Sequence, residues 1–324
     1  MFRHFMRAIL VVLALFALAA QAFAQYPSKP IRLVVGFAPG GAADAVSRAL
    51  GDPLGRLLGQ SIIIDNRPGN GSSLAADLVA KAPADGYTML IASPSSQSVN
   101  PAINKNLGYV PERDFAPVTK VTSSPLVVAV HPSLPVHSIP ELIAYAKKMP
   151  GKLNYGSSGN GSAPHLGAVL FARIAGVEMV HVPYKGGGPA VQALLAGDIQ
   201  LSFATPPSVL PLVQAGRLRG LAVTTRAASP SVPGLPGMAE AGLPGYDLTF
   251  WYGFFVPAGT PPDVVKKLYT ATTQVLQRAD VKSILAKEGT DIVGSKSPED
   301  FASFLREDAK LWQQLVKETG AKVD

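Results

Sequence analysis

Short β-rich runs alternate with stretches whose apolar residues recur every three to four positions, and this alternation confines the chain to an α/β fold. Ile31–Val35 reads as a strand, and Val46, Leu50, Leu54, Leu57 and Leu58 then recur at helical spacing. Residues 62–64 form a second strand, 74–80 a helix and 87–92 a third strand. The resulting βαβαβ order predicts a parallel sheet with helices on both faces. A second unit repeats the pattern, with strands at 126–130, 153–156, 179–182, 201–204 and 220–223. Its helices fall at 140–148, with a start signal in Ser138, and at 163–175, 189–196 and 208–215.

A loop rich in Pro and Gly follows at 229–245, then a strand at 250–256. Two helix starts come next. Thr260-Pro261-Pro262-Asp263 and Ser297-Pro298-Glu299-Asp300 each place a hydroxyl residue three positions before an acid. Apolar spacing from Phe301 to Val316 predicts a helix over 301–319. One strand cannot form a sheet alone, so the tail is expected to rejoin the first unit. That gives one lobe from residues 25–124 and 226–324, a second lobe from 125–225, and a cleft between two doubly wound α/β domains as the natural ligand site.

The N-terminus reads as a secretory signal: Arg3, His4 and Arg7, an apolar run over 9–20, and the small-x-small pattern Ala22-Phe23-Ala24. The run falls short of the roughly 20 residues a bilayer span needs. Cleavage after Ala24 is expected, leaving an exported body that does not span the membrane. Loss of Arg3 and Arg7 takes the formal charge from +7 to about +5. The remaining basic residues are scattered, with no aromatic-rich basic stripe, so nucleic acid is not an expected partner.

The chain has no cysteine, which excludes thiolate metal sites, thiol nucleophiles and disulfides. His131, His137, His165 and His181 show no metal-ligand spacing, so neither a metal nor a cofactor is expected. The chain has no P-loop lysine after Gly161, no G-x-S-x-G elbow, no H-E-x-x-H and no dinucleotide fingerprint. No catalytic residue is assigned, and the protein is not expected to be an enzyme.

Two strand-to-helix junctions stand out. Phe37-Ala38-Pro39-Gly40-Gly41-Ala42-Ala43-Asp44 precedes the first helix. Gly156-Ser157-Ser158-Gly159-Asn160-Gly161-Ser162-Ala163-Pro164-His165 precedes a helix of the second unit. Each puts a glycine-rich turn at a helix N-terminus, where free backbone N–H groups and the helix dipole favour an anion. The expected ligand residues are Phe37, Pro39, Gly40, Gly41 and Asp44 in one lobe and Ser158, Gly161, Ser162 and His165 in the other. Ser93, Ser95 and Gln97 follow the third strand and are expected to line the same cleft. For Asp44 and His165, ligand contact and local helix capping both remain open. Lys185, in Tyr184-Lys185-Gly186-Gly187-Gly188, reads as a solvated loop residue that could also supply charge.

At this point the residues resemble a family. Tyr26-Pro27-Ser28-Lys29-Pro30-Ile31-Arg32 and Pro39-Gly40-Gly41-x-x-Asp44 are similar to the start of mature Bug-type receptors, the extracytoplasmic solute receptors of tripartite tricarboxylate transporters. The likeness continues through Asn66-Arg67-Pro68-Gly69, Asp85-Gly86-Tyr87-Thr88, Asp114-Phe115, Gly159-x-Gly161-Ser162-x-x-His165-Leu166, Val182-Pro183-Tyr184-Lys185-Gly186 and Glu240-x-Gly242-Leu243-Pro244. The resemblance implies a periplasmic, two-lobed Venus-flytrap receptor of type II binding-protein topology. It implies a small carboxylate ligand gripped by the two glycine-rich loops, with inner-membrane permease subunits as partners. A monomer is the default expectation. Family members that take amino acids often carry an acid soon after the strand read here as Leu201-Ser202-Phe203. This sequence has Ala204-Thr205-Pro206 there, which points to a non-amino carboxylate and makes Ala204 a further expected ligand residue. Two other readings are a sensing receptor without transport and a secreted hydrolase using Ser158 or Ser162 with His165.

Overall fold

The computed structural model describes residues 26–104, 106–287 and 289–319; the signal segment over 1–24 lies outside the described residues. Two sheets organise them. The first holds β1 (Ile31–Val35), β2 (Ile62–Asn66), β3 (Thr88–Ala92), β4 (Phe115–Pro125), β10 (Thr249–Pro257) and β11 (Asp291–Ile292), in the order β11-β4-β10-β3-β1-β2. The second holds β5 (Val127–Val130), β6 (Asn154–Ser157), β7 (Val180–Pro183), β8 (Leu201–Ala204) and β9 (Arg219–Val223), in the order β7-β6-β8-β5-β9. The chain enters the second sheet at Leu126 and returns through 224–248, and β10 seats between β3 and β4.

The expected parallel pairing holds for β1 with β2 and β3, and for β6 with β7 and β8. It does not hold for β10, β11 or β5, which pair antiparallel with all their neighbours. Both sheets are therefore mixed. The strand β4 was not expected, because Pro117 cannot donate to a ladder. A register shift between Phe254 and Phe255, opposite Thr119 and Pro117, accommodates it.

β1 shows why its run is apolar throughout. Leu33 and Val35 enter one core cluster and Val34 another, all fully buried. Full burial of each such side chain contributes about 1.5–3 kcal/mol. Helix α1 (Ala42–Leu58) buries Val46, Leu50, Leu54 and Leu58, and ends in a left-handed Gly59 (φ 75°). The remaining major helices are α2 (Ser73–Ala80), α3 (Ile139–Lys148), α4 (Ala163–Ala175), α5 (Gly187–Ala196), α6 (Pro206–Gln214), α7 (Pro262–Gln277), α8 (Ala279–Lys287) and α9 (Pro298–Thr319). Ser138 caps α3 and Ser297 caps α9, accepting from Glu141 N and Asp300 N. Thr260 does not cap α7. Its hydroxyl donates to Pro257 O, and Pro261 takes the cap position.

Residues 95–99, expected as loop, form a π-helical turn, Ser95–Val99, between β3 and a short helix Asn100–Ile103. Among the described residues no helix is long and apolar enough to cross a membrane.

Candidate functional site

The carboxyl ends of β1, β6 and β8 meet around a cavity of about 20 Å³, room for about one water. Phe37, Gly41, Ala42 and Ala43 line it from the first sheet's side, and Ser158, Pro164, Gly187, Ala190, Ser202, Ala204 and Thr205 from the second's. Ser95, Phe250 and Tyr252 complete the wall. Four helix starts converge here. Gly41 caps α1, Pro164 lies in the first turn of α4, Gly187 opens α5, and Thr205 caps α6. Each start points the positive end of a dipole at the cavity; those of α1, α4 and α5 also bring backbone N–H groups, whereas α6 opens on Pro206 and Pro207, which have none, and Ser208 N already donates to Thr205 O at 3.0 Å. The lining contains no carboxylate, ammonium, guanidinium or imidazole. Its one titratable group is the Tyr252 phenol, which burial raises, against a hydrogen-bond contact with the Ala43 backbone. Ser95 is fully buried, and its hydroxyl has no hydrogen-bond partner.

The expected site residues divide into those that line the cavity and those that hold the lining in place. Phe37, Gly41, Ser95, Ser158 and Ala204 line it. Asp44 is 5 % exposed, with both carboxylate oxygens engaged. Oδ2 accepts from Gly40 N at 3.1 Å and Arg48 Nε at 3.0 Å, and Oδ1 accepts from Asn66 Nδ2 at 3.2 Å. Asn66 Nδ2 also donates to Phe37 O at 3.0 Å, tying the start of the loop to its end. Desolvation pushes the Asp44 carboxyl upward, but the hydrogen bonds from Arg48, Gly40 and Asn66 outweigh it, and the pKa lies below 3.8. Gly40 has a left-handed φ of 81°, and Pro39 O faces Gly188 of the opposite half.

The second loop is held by hydroxyl and imidazole. Ser157 Oγ bonds to Gly159 N and Gly159 O, both at 3.1 Å, and lies 2.6 Å from His181 Nε2. Gly161 N donates to His165 Nδ1 at 3.2 Å, and Ser162 Oγ caps α4 by accepting from His165 N. The two imidazoles stack at 4.1 Å, and Tyr155 stacks on His181 at 5.0 Å. Desolvation, then the neighbouring His165, pushes the His181 pKa down to about 3. Asp44, Ser162 and His165 thus shape the loops rather than line the cavity. Ser93, at the end of β3, is fully buried with an unpartnered hydroxyl and is not part of the lining. Gln97 lines a different pocket, on the other side of the π-turn.

The two halves touch through main chain. Ala38 N donates to Lys185 O at 3.1 Å. A Cβ on Gly188 would lie 2.9 Å from Pro39 O, and one on Gly71 would lie 2.5 Å from Asn160 O. Lys185 is exposed and contributes its carbonyl to this contact.

Ala42, Ala43, Pro164, Gly187, Ala190, Ser202, Thr205, Phe250 and Tyr252 escaped the sequence reading as site residues. Ala42, Ala43, Pro164, Gly187 and Thr205 lie within stretches singled out there but were not picked as the lining residues. The alanines offer only backbone and a methyl group, and leave no chemical signature in a sequence.

Comparison with known proteins places these features in a group. A family model described as tripartite tricarboxylate transporter family receptor matches residues 46–321. Protein BugT of Bordetella pertussis is 35 % identical over 300 residues, covering 92 % of this chain and 91 % of its own. Among solved structures, an R. palustris protein, Rpa4515, solved with adipate, superposes with a TM-score of 0.89 at 38 % identity, covering 92 % of this chain and all of that one. The periplasmic binding protein BugD gives 0.87 at 30 %, covering 92 % of this chain and 99 % of its own. MatC from Rhodopseudomonas palustris with bound malate gives 0.85 at 31 %, covering 90 % and 100 %.

Proposed function

The chain belongs to the tripartite tricarboxylate transporter receptor family, whose members are periplasmic solute-binding proteins, and on that premise we propose that it captures a small non-amino carboxylate for an inner-membrane permease. The observation that carries this reading is the convergence of four helix starts on a cavity with no ionisable side chain but a tyrosine. Such a site stabilises negative charge through fixed dipoles and N–H groups. It offers an ammonium group no partner, which disfavours amino acids. Phe37, Phe250 and Tyr252 supply apolar surface for a carbon skeleton. The adipate and malate of the two solved relatives fit this chemistry.

Two lobes, 25–124 with 226–324 and 125–225, act as the jaws, a reading supported by the two separate sheets. A cavity of about 20 Å³ cannot hold a dicarboxylate, so the jaws part to admit one and close over it. The ligand drives closure only through its greater affinity for the closed form. Phe37, Gly41, Ser95, Ser158 and Ala204 contact the ligand, and Asp44 and His165 hold the loops that do. The segment over residues 1–24 directs export and is cleaved after Ala24. No chemistry is done on the ligand. In the hydrolase reading, His165 would activate Ser158 or Ser162, but its Nδ1 accepts from Gly161 N and its own N–H is capped by Ser162.

The test is a thermal-shift screen of the protein without residues 1–24 against di- and monocarboxylates, amino acids and sugars. A ligand at about 1,000 times its Kd stabilises the native state by roughly 4 kcal/mol, a shift of several degrees. A carboxylate hit, recovered unchanged after incubation and weakened about fivefold by Ser95→Ala, is the expected result. Stabilisation by sugars or amino acids alone overturns the reading.

A further inference from the structure

One face of β10 is apolar except at one place. Phe250, Tyr252, Phe254 and Val256 alternate along that face into one core cluster, while Trp251 and Phe255 enter another. The single hydroxyl of the row falls where the strand passes the cleft, because Phe250 and Tyr252 line the cavity and Phe254 does not. We propose that Tyr252 is a ligand contact, its phenol extending the N-terminus of α1 by one hydrogen bond and donating to a carboxylate oxygen of the bound solute. The proposal rests on the carboxylate reading of the cleft and adds to it a named side-chain donor.

The phenol is held from two directions. A hydrogen bond with the Ala43 backbone favours its ionised form, so the Ala43 N–H donates and the phenol oxygen accepts. Ala43 lies in the first turn of α1, which Gly41 caps. The N–H groups of a helix start have no carbonyl partner within the helix, and the phenol oxygen takes one of them. Phe250 packs edge-on against the Tyr252 ring, with centroids 4.8 Å apart and planes at 86°. The ring is 6 % exposed and so is braced where it meets the cavity.

A phenol has one proton to give and can accept at the same time. With its oxygen engaged by Ala43, the proton is what Tyr252 offers the cavity. Accepting from the helix start polarises the O–H and strengthens it as a donor. Burial raises the phenol's pKa, so it faces an anion as a neutral donor and not as a phenolate. Tyr252 and the α1 dipole therefore act in series. Both β10 and α1 belong to the half built on the first sheet, so the pair is in place before the jaws close.

The test is calorimetric titration of the protein without residues 1–24 by adipate, malate and the other carboxylates of the thermal-shift panel. It compares the parent, Tyr252→Phe, and a protein carrying a ring-fluorinated tyrosine at position 252. Fluorine makes the phenol more acidic, hence a stronger donor and a weaker acceptor. Tyr252→Phe keeps the ring, loses the donor and is expected to bind about tenfold more weakly. The fluorinated protein is expected to bind more tightly than the parent. A hydroxyl that served only to cap Ala43 would give no such gain, and that result overturns the proposal. So does a Tyr252→Phe protein with the parent's affinity, which leaves the carboxylate reading standing. A parent that binds no carboxylate overturns both. If Tyr252→Phe loses its cooperative melt, the fluorinated protein decides alone on the same terms.

Discussion

The loop before α1 and the loop before α4 look alike in sequence, each a glycine-rich turn running into a helix start, yet they are fastened by different chemistry. The first is tied by charge: Asp44 gathers Gly40 N, Asn66 and Arg48 onto one carboxylate. The second is tied by neutral groups, with Ser157 bridging Gly159 and His181, and His165 holding Gly161. Similar backbone paths toward an anion can thus be held rigid by two independent devices. A glycine-rich turn alone does not say which device a protein uses.

The largest expected effect comes from breaking the charged fastening. Asp44→Ala leaves the Gly40 N–H without its acceptor and Asn66 with only the Phe37 carbonyl. We expect a loss of about 2–3 kcal/mol in urea denaturation. Most of it comes from the buried hydrogen bonds, because Arg48 is 57 % exposed and its ion pair adds little. A loss under about 0.5 kcal/mol would show that the carboxylate is not what holds the loop. Ser157→Ala cuts the neutral fastening and is expected to cost about 1–2 kcal/mol. Because the two networks share no residue, the double variant should be additive within about 0.5 kcal/mol. Clear non-additivity would mean the loops are held as one unit.

The remaining contrast is a difference in pH response. An imidazole whose pKa falls from 6.5 in the unfolded chain to about 3 in the folded one takes up its proton more readily when unfolded. The second loop therefore loses stability as pH drops below 6.5, and the loss is complete near 3. Asp44, held below its ordinary 3.8, keeps its contribution above that value and loses it only as the pH falls from there through its lower folded pKa. Amide exchange corrected for its intrinsic pH dependence should show protection at Gly159 and Gly161 falling between pH 6.5 and 4, while Gly40 holds steady. Parallel loss at all three sites would erase the distinction.

Much of the fold was legible because period carries element type: the runs at Ile31–Val35 and Val127–Val130, and the helical stripe of α1, read directly. Strand direction did not, since a period of two is the same either way round, so β5 and β10 were placed without their antiparallel sense. Pro117 hid β4 until a bulge was seen to absorb it. The π-turn at Ser95–Val99 depends on one extra residue per turn, which no propensity records, and so the separation of Gln97 from Ser95 was invisible. In the site, the glycine-rich loops announced themselves. Phe250 and Tyr252 did not, because they reach the cavity from a strand at the far end of the chain and read there as ordinary core.

The contact between the halves has a consequence for how such a protein can change. The bond from Ala38 N to Lys185 O and the close approach of Gly188 to Pro39 O involve main-chain atoms and missing side chains. A substitution at Lys185 leaves that bond available, and so does one that reshapes the pocket at Phe37, Phe250 or Thr205. If the halves part and close as proposed, selection can retune what is held without rewriting the main-chain contact at which they meet, and a lineage can drift from one guest to the next while its latch is inherited intact.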